Sequence, residues 1–448
     1  MAQSLLHPAM NSTRPPDWAG AVWVGAIDES EIYASEPKAV LTLHRSTGYG
    51  TARLLVRAGA RIRGFVDVPV REGGISFDLL RARIGALEPG SALTESVASP
   101  TFTVIICTRD RVDQLRDALR SVLQVDYPHF DVLVVDNASA TMQTRDLIAR
   151  EFSTDRVRFV SEPVAGLSRA RNTGLRHATG EFVAYTDDDV QVDSYWLRAL
   201  ASGFARGSDV DCVCGLVPSG ELRSEVQAYF DGRVSWSRNL DARHYSLATP
   251  PPALPLFPFS VGEFGTGANF AIRRIRGLRM GGFDTALGVG TPTGGGEDLD
   301  FFTRVLLTGR GLVVEPAAVV WHRHRDDLAA LRYQARGYGI GLGAWLTKIA
   351  LNPRTAVMAV RRSPGACRKL WDKRAIGSAD EVPSESAPNS SAASVAFYDA
   401  IARVGRYEVA CVLQGPWRYL RQKFSGAGLL PVGSRDSFAD ADAGVSAP

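Results

Sequence analysis

Short apolar runs alternate with amphipathic segments between residues 103 and 185, and this alternation predicts the fold of that region. The runs 103–107 and 182–185 are rich in β-branched and aromatic residues, which is typical of buried strands. Segment 112–123 instead spaces its leucines and valines as one face of a helix. Further strands are predicted at 131–135 and 156–160, and further helices at 141–151 and 167–177. The succession predicts an α/β domain, with a Rossmann-like, mostly parallel sheet flanked by helices.

The pattern changes on either side of this region and predicts five segments. These are a small N-terminal β-rich accessory domain of mixed strands (1–97), the α/β domain (98–330), a basic helical extension (331–375), a flexible linker (376–395), and a C-terminal helix with a disordered tail (396–448). The basic extension interleaves arginines with apolar residues, which is typical of an element at an anionic membrane surface or of a solvated basic face. Pro364-Gly365 should interrupt any helix there.

Composition and charge narrow the class of protein. The chain has 448 residues, of which 45% are hydrophobic and 22% charged, as in ordinary globular proteins. A net charge of +3 predicts no whole-protein attraction to nucleic acid, so we expect no nucleic-acid partner. Five cysteines without paired spacing favour a reducing compartment, and no apolar stretch reaches the roughly 20 residues that span a bilayer. We therefore expect a cytoplasmic protein with peripheral contact at the inner face of an anionic membrane.

Three adjacent carboxylates, Asp187, Asp188 and Asp189, follow the predicted strand 182–185. Like charges this close repel one another unless a cation or strong donors neutralise them. Carboxylate oxygens suit Mg²⁺ or Mn²⁺. Such a triplet taken alone is more typical of a solvated turn than of a metal site, so its meaning depends on which polar groups lie near it.

Other polar clusters also follow predicted strands, at the sheet edge where α/β proteins bind ligands. Asp136-Asn137 predicts either a hydrogen bond to a base or ribose, or a simple turn. Arg171 lies in a segment beginning with Gly166, near a helix N-terminus that favours phosphate. Glu297-Asp298 follows three glycines and predicts either catalysis or helix capping. His322 and His324 follow the last predicted strand and are candidates for contact with a metal or a diphosphate.

Five of these segments resemble, in order, those of the family 2 glycosyltransferases with the GT-A fold. They are 104–111 (VIICTRDR), 134–139 (VVDNAS), 166–172 (GLSRARN), 185–189 (YTDDD) and 296–298 (GED). The resemblance covers about residues 100–325. It implies a nucleotide-diphosphate-sugar donor, a divalent cation, and transfer to an acceptor hydroxyl with inversion at the anomeric carbon.

The resemblance also implies residues that bind the donor. By position in the motifs, Thr108 and Arg109 would line the nucleotide pocket and Asp136 would contact the base or ribose. Arg171 would lie near the nucleotide or diphosphate. Asp188, in the centre of the acidic triplet, is assigned to the same donor site.

Metal ligands and the catalytic base follow from the resemblance in the same way. Asp187 and Asp189 match the outer acids of the Asp-x-Asp motif, with Asp189 expected to bind the metal and Asp187 the ribose or a metal-bound water. His322 is expected as a further metal ligand. Asp298 matches the general base and Glu297 is its neighbour in the catalytic pair.

A motif that is missing from this chain bears on whether it transfers one sugar or makes a polymer. The Gln-x-x-Arg-Trp motif of processive polysaccharide synthases is missing, since 334–338 (QARGY) is at most a distant echo. We therefore expect transfer of a single hexose in cell-envelope or glycan biosynthesis. The acceptor would be a glycan, a lipid-linked molecule or a small molecule, and the loop 250–264, dense in Pro and Phe, is either an acceptor wall or a packed aromatic crossing.

Two alternatives stay open. A sugar-nucleotide nucleotidyltransferase shares the α/β layout and the metal-binding acids, but usually carries a Gly-rich basic loop after the first strand, and 108–111 is short and Gly-free. A non-catalytic nucleotide-sugar-binding protein would keep the donor site without turnover.

Overall fold

The computed structural model describes residues 5–12, 14–34, 40–94, 99–234, 239–376 and 392–428, with the backbone alone at 34, 365–376 and 392–395. A β-rich N-terminal module, a central α/β domain and a C-terminal helical layer follow one another along the chain. The predicted boundary at 97, most of the predicted linker and the predicted tail from 429 onward lie outside the described residues.

The N-terminal module consists of two small sheets, each with three strands, and two helices. One sheet has the order β1-β3-β6 and the other β2-β4-β5. Its elements are β1 (Leu5–Leu6), β2 (Val22–Asp28), α1 (Glu29–Ala34), β3 (Val40–Leu43), β4 (Thr51–Ala58), β5 (Arg61–Pro69), β6 (Gly74–Ser76) and α2 (Phe77–Gly85). Helix α2 begins where the Ser76 hydroxyl accepts a hydrogen bond from the Leu79 amide, a conventional N-cap. The mixed strands expected from the sequence are present.

A buried ion pair joins this module to the central domain. The Arg57 guanidinium lies 2.9 Å from Asp193, and both side chains are at least nine-tenths buried. Val24 and Leu55 of the module belong to the same apolar core as the central sheet. The module therefore shares a hydrophobic core with its neighbour in addition to its own.

The central domain is built on one nine-stranded sheet, in the order β11-β15-β12-β14-β10-β7-β8-β9, with β13 paired to β15. Its strands are β7 (Phe102–Thr108), β8 (Phe130–Asn137), β9 (Val157–Glu162), β10 (Phe182–Thr186), β11 (Val190–Val192), β12 (Val210–Leu216), β13 (Arg243–Tyr245), β14 (Asn269–Arg273) and β15 (Gly311–His322).

Helices cover the sheet, and a short 3-10 helix lies at Val261–Glu263. The helices are α3 (Val112–Leu123), α4 (Gln143–Glu151), α5 (Leu167–His177), α6 (Trp196–Ala205), α7 (Glu225–Arg233), α8 (Arg274–Arg279) and α9 (Glu297–Leu307). In α3 the side chains of Leu115, Leu119 and Val122 are fully buried, as their helical spacing predicts. The α/β class and the flanking helices are confirmed.

Strand direction differs between the two halves of the sheet. Strands β10, β7, β8 and β9 are parallel to one another, as predicted. Strand β14 lies antiparallel between β10 and β12, which makes the second half mixed. The pairing sets Thr108 beside Asp136, and Thr186 beside Ile106, so the carboxyl ends of three strands meet at one edge.

The loop 250–264 packs its aromatic side chains into the core. Phe257 and Phe264 are fully buried and lie with Tyr245 in one aromatic cluster. Of the two interpretations of this loop, the packed aromatic crossing fits these contacts. Cys212 and Cys214, on β12, are also fully buried in the core.

Four helices form the C-terminal layer: α10 (Leu328–Leu351), α11 (Pro353–Ile376), α12 (Ala392–Val412) and α13 (Gly415–Phe424). Helix α11 continues through Pro364, so the predicted interruption at that residue is wrong. A proline within a helix removes one backbone hydrogen bond without necessarily ending the helix. Among the described residues, no helix is long and apolar enough to cross a bilayer.

A buried charge cluster joins this layer to the central domain. Lys348 of α10 lies 2.7 Å from both Asp284 and Asp300, and the Tyr419 hydroxyl of α13 donates to Asp284 at 3.1 Å. Both carboxylates are almost fully buried, so the lysine charge compensates two acids at once. Because Asp300 belongs to α9, the C-terminal layer is tied to the helix that begins with Glu297 and Asp298.

Candidate active site

The three consecutive aspartates at the end of β10 have different surroundings. Asp188 is 4% exposed and accepts hydrogen bonds from the Thr108 hydroxyl at 2.7 Å and from Arg111 at 3.0 Å. Burial, together with the charge of Asp189, raises the pKa of Asp188 to about 6. Both of its carboxylate oxygens are therefore engaged within the protein. This geometry is that of a residue that positions Thr108 and Arg111.

Asp189 lies between two cations. Its carboxylate is 3.3 Å from Arg111 and 3.4 Å from His322 Nε2. Burial alone would raise the pKa of Asp189, but His322 and Arg111 outweigh it and hold that pKa below its usual range. Asp189 in turn raises the pKa of His322, although burial opposes this. Asp189 therefore stays ionised, as a metal ligand must be.

Asp187, Asp189 and His322 form a cluster of metal-ligating atoms. One ligand atom from each lies within 4.8 Å of the other two, and all three side chains are partly exposed. Two carboxylates and one imidazole can hold a divalent cation of the Mg²⁺ or Mn²⁺ class, and the imidazole favours Mn²⁺ over Mg²⁺. The residues present thus fit the metal that the resemblance implies.

Arg171 lies beneath this cluster and is 3% exposed. Its guanidinium is 3.7 Å from Asp187 and 3.3 Å from Glu297, and it donates to the Gly267 carbonyl at 3.0 Å. The rings of Phe270 and Phe283 pack against it, with centroids 5.9 and 5.4 Å from the guanidinium carbon. Arg171 thereby connects the acidic turn to the start of α9. Its predicted contact with a nucleotide or diphosphate stays a prediction.

Glu297 and Asp298 begin α9 after Gly296, whose φ of 88° lies in the left-handed region. A Cβ at Gly296 would also lie 2.6 Å from the Gly341 carbonyl oxygen, so glycine is required there. Asp298 is partly exposed and accepts hydrogen bonds from the amides of Leu299 at 2.8 Å and Gly267 at 3.2 Å. These bonds hold the carboxylate beside Thr266 and Ala268, which line the cavity described below.

Glu297 is buried where a charge is costly. Burial and the neighbouring charge of Asp298 raise the pKa of Glu297 to about 7, although Arg171 opposes the shift. A carboxyl group whose pKa is higher in the folded state binds more protons when folded than when unfolded. Stability should therefore fall as the pH rises from about 4.5 to about 7, by about 3 kcal/mol for this group.

The Glu297→Gln variant tests this cost. Gln cannot ionise, so we expect its melting temperature to exceed that of the wild type by a margin that grows between pH 5 and pH 7.5 and then levels off. Glu263→Gln, at an exposed position, is the matched control and should show no such growing margin. A pH-independent difference for Glu297→Gln would contradict the assignment of a buried, proton-binding carboxyl group.

A cavity of about 590 Å³ lies beside the metal-ligating cluster. Thr108, Arg109 and all three aspartates line it, as does His322. Arg109 is exposed and lines this cavity, and its place in a nucleotide pocket stays a prediction. The residues lining the cavity do not include Asp136, which is buried and accepts a hydrogen bond from the Ser139 hydroxyl. Its contact with a base or ribose stays a prediction.

The sequence patterns overlooked several residues at this site. Arg111 bridges Asp188 and Asp189. It lies in the segment 104–111, but the resemblance to the family assigns no role to it. Tyr338 of α10 and Arg418 of α13 line the cavity from the C-terminal layer. Tyr338 lies in the segment 334–338 noted above, whereas no sequence motif marks Arg418, because no periodic pattern reveals which distant helix covers a sheet edge. His324 is buried between Phe230 and His322, and burial holds its pKa well below the usual range.

Comparisons with known proteins agree with this architecture. The family model "Glycosyl transferase family 2" matches residues 103–273. Succinoglycan biosynthesis protein ExoM of Rhizobium meliloti is 30% identical over 241 residues, which cover 52% of this chain and 69% of that protein. Pre-mycofactocin glycosyltransferase of Mycobacterium tuberculosis is 27% identical over 284 residues, which cover 62% of this chain and 55% of that protein. The chain thus spans about half the length of the latter relative.

Among solved structures, a mannosyltransferase from Pyrobaculum calidifontis is 21% identical, with a TM-score of 0.45, over 74% of this chain and 91% of that one. The family model covers the strands that carry Thr108, Asp136 and the acidic triplet. On these two matches, the chain belongs to glycosyltransferase family 2.

Proposed function

We propose that this chain is a metal-dependent, inverting glycosyltransferase that moves one sugar from a nucleotide-diphosphate sugar to an acceptor hydroxyl. The observation that carries the proposal is the cluster of Asp187, Asp189 and His322 at the end of β10, beside a cavity of about 590 Å³. The Asp298 carboxylate lies next to residues that line the same cavity. Metal ligands and a separate basic group are the two components that such a transfer needs.

Each side chain has a task in the proposed reaction. A divalent cation bound at Asp187, Asp189 and His322 would neutralise the charge that grows on the departing diphosphate. Arg111 holds Asp189 in place, and Asp188 holds Arg111. Arg109, which lines the cavity, would contact the nucleotide portion of the donor. Asp298 would accept the proton of the acceptor hydroxyl as the new glycosidic bond forms on the face opposite to the leaving group.

The acceptor is proposed from a relative of this chain and not from the residues of the site. One relative is named a succinoglycan biosynthesis protein, which supports a role in glycan biosynthesis. A glycan, a lipid-linked molecule and a small molecule are the acceptors that we propose. We also propose peripheral contact with an anionic membrane at its inner face, where a lipid-linked acceptor would be found.

A panel of nucleoside diphosphates, with and without Mn²⁺, tests the proposed function. We expect one of uridine, guanosine or thymidine diphosphate to raise the melting temperature only when Mn²⁺ is present, since a ligand at 100 times its Kd adds about 2.7 kcal/mol. The corresponding sugar nucleotide should then release nucleoside diphosphate during turnover. Release of pyrophosphate from a nucleoside triphosphate and a sugar phosphate would indicate a nucleotidyltransferase. Donor binding without any turnover would indicate a binding protein.

A further inference from the structure

Helices α12 and α13 and the turn between them expose four large apolar side chains, which we call the apolar ridge: Val409, Leu413, Trp417 and Phe424. Their exposed fractions are 71%, 83%, 71% and 90%. Single exposed apolar residues are ordinary, but four of this size in 16 residues of sequence are a concentrated apolar surface. Trp417 and Phe424 are seven residues apart, so they lie on one side of α13, and Leu413 lies in the turn that joins α12 to α13.

The opposite sides of these helices are packed against α10, which fixes the direction of the ridge. Cys411 and Tyr419 are buried, and the close approach depends on glycine. A Cβ at Gly343 would lie 2.0 Å from the Val412 carbonyl oxygen, and one at Gly415 would lie 2.3 Å from the Ala344 amide nitrogen. The ridge therefore points away from α10.

Positive charge surrounds the ridge. The exposed basic residues of α12 and α13 are Arg403, Arg406, Arg421 and Lys423. The acids of segment 392–428 are Asp399 and Glu408, and Glu408 is paired with Arg233 at 2.7 Å. The preceding helices, 328–376, contain ten Lys and Arg residues and one acid, although the whole chain carries only +3. The C-terminal layer is thus strongly basic in a nearly neutral protein.

We propose that the apolar ridge docks this layer on an anionic lipid surface. Tryptophan, leucine and phenylalanine side chains enter the boundary between headgroups and acyl chains, while arginine and lysine remain among lipid phosphates. Each basic residue near such a surface strengthens the attraction to anionic lipid. None of the described helices is long and apolar enough to cross the bilayer. An acidic protein partner would also attract the charges, but the highly exposed, unpaired aromatic residues favour the lipid boundary.

The docking surface and the cavity share one helix. Trp417 belongs to the apolar ridge, whereas its neighbour Arg418 lines the cavity and donates to the Pro292 carbonyl at 3.0 Å. Docking would hold the cavity close to the lipid headgroups. This consequence for the acceptor rests on the proposed function, because it matters only if the cavity is where transfer occurs.

Vesicle sedimentation with the full chain tests the proposal. Phosphatidylglycerol–phosphatidylcholine vesicles should carry down the protein at low salt, whereas vesicles of phosphatidylcholine alone should carry down at least tenfold less. The combined variant Leu413→Ser, Trp417→Ser and Phe424→Ser should bind the anionic vesicles at least tenfold more weakly. Met142→Ser and Val164→Ser are matched controls, since these apolar side chains are 58% and 50% exposed in the central domain, and they should bind like the wild type.

A charge variant keeps the proposal testable if the ridge variant fails to fold. Arg403→Gln, Arg406→Gln and Arg421→Gln together should reduce binding to anionic vesicles tenfold while the melting temperature stays unchanged. The proposal is overturned if the folded wild type does not bind anionic vesicles. Light scattering that shows a dimer dispersed by the ridge variant, without vesicle binding, would identify a second copy as the occupant. Vesicle binding is measured in the absence of sugar transfer. A negative result there can therefore be distinguished from a negative result in the nucleoside diphosphate screen.

Discussion

The Asp298→Asn variant should lose sugar transfer by a factor of about 10²–10⁴ in kcat, the usual contribution of a general base. The carboxylate is partly exposed beside the cavity, where it could accept a proton from an acceptor hydroxyl. Asparagine has nearly the same shape but cannot accept that proton. The measurement is the rate of nucleoside diphosphate release in the presence of acceptor, with the donor Kd measured separately.

Donor binding separates loss of chemistry from loss of structure. The asparagine amide cannot accept both hydrogen bonds that Asp298 now receives from Gly267 and Leu299, so a small loss of stability is expected. The donor Kd should change less than tenfold. Asp241→Asn, at a side chain 83% exposed, is the matched control and should keep full activity. Retained turnover in Asp298→Asn would contradict the assignment of Asp298 as the general base.

The second large effect is expected at the metal cluster, where Asp189→Asn should weaken Mn²⁺-dependent binding of nucleoside diphosphate by at least about 100-fold. Mutation of a residue that only hydrogen-bonds to a metal ligand typically lowers metal affinity 10- to 100-fold. Asp189 is assigned as a ligand itself, so the loss should be at least as large. The amide removes the charge that lies beside both Arg111 and His322. Titration calorimetry with and without Mn²⁺ measures the effect.

Asp188→Asn is the informative control, because it makes the same change one residue away. Asp188 accepts hydrogen bonds from Thr108 and Arg111, so its replacement should lower the melting temperature. The Mn²⁺-dependent affinity should change less than tenfold. If Asp188→Asn abolished the Mn²⁺ dependence and Asp189→Asn kept it, the roles of the two carboxylates would be exchanged.

The acidic triplet shows which features of a site a sequence motif can predict. The sequence places three aspartates at a strand end, and the structure separates them by side-chain direction: Asp188 into the protein, Asp187 and Asp189 toward His322. The direction depends on partners that are distant in sequence, and periodicity carries no information about them. Arg109 and Arg111 illustrate the same limit, since only Arg111 contacts the aspartates.

The sequence predicted little of how the C-terminal layer is arranged. Its basic character and helical content were predicted, but the continuation of α11 through Pro364 was not. The contribution of Tyr338 and Arg418 to the cavity was not predicted either. Helices dock through glycine contacts such as those of Gly343 and Gly415, and a glycine in a sequence does not reveal which helix will pack against it.

By itself, the sequence determined the α/β class, the order of strands and helices from β7 to β10, and the residue types at the carboxyl ends of β7, β8 and β10. Local patterning and turn chemistry are enough for these features, because they depend on neighbours in the chain. Only the tertiary structure decided that β14 runs antiparallel between β10 and β12, that Arg171 connects Asp187 to Glu297, and that α10 and α13 wall the cavity. Those features arise from contacts between residues far apart in sequence, where packing and charge compensation select one arrangement among many.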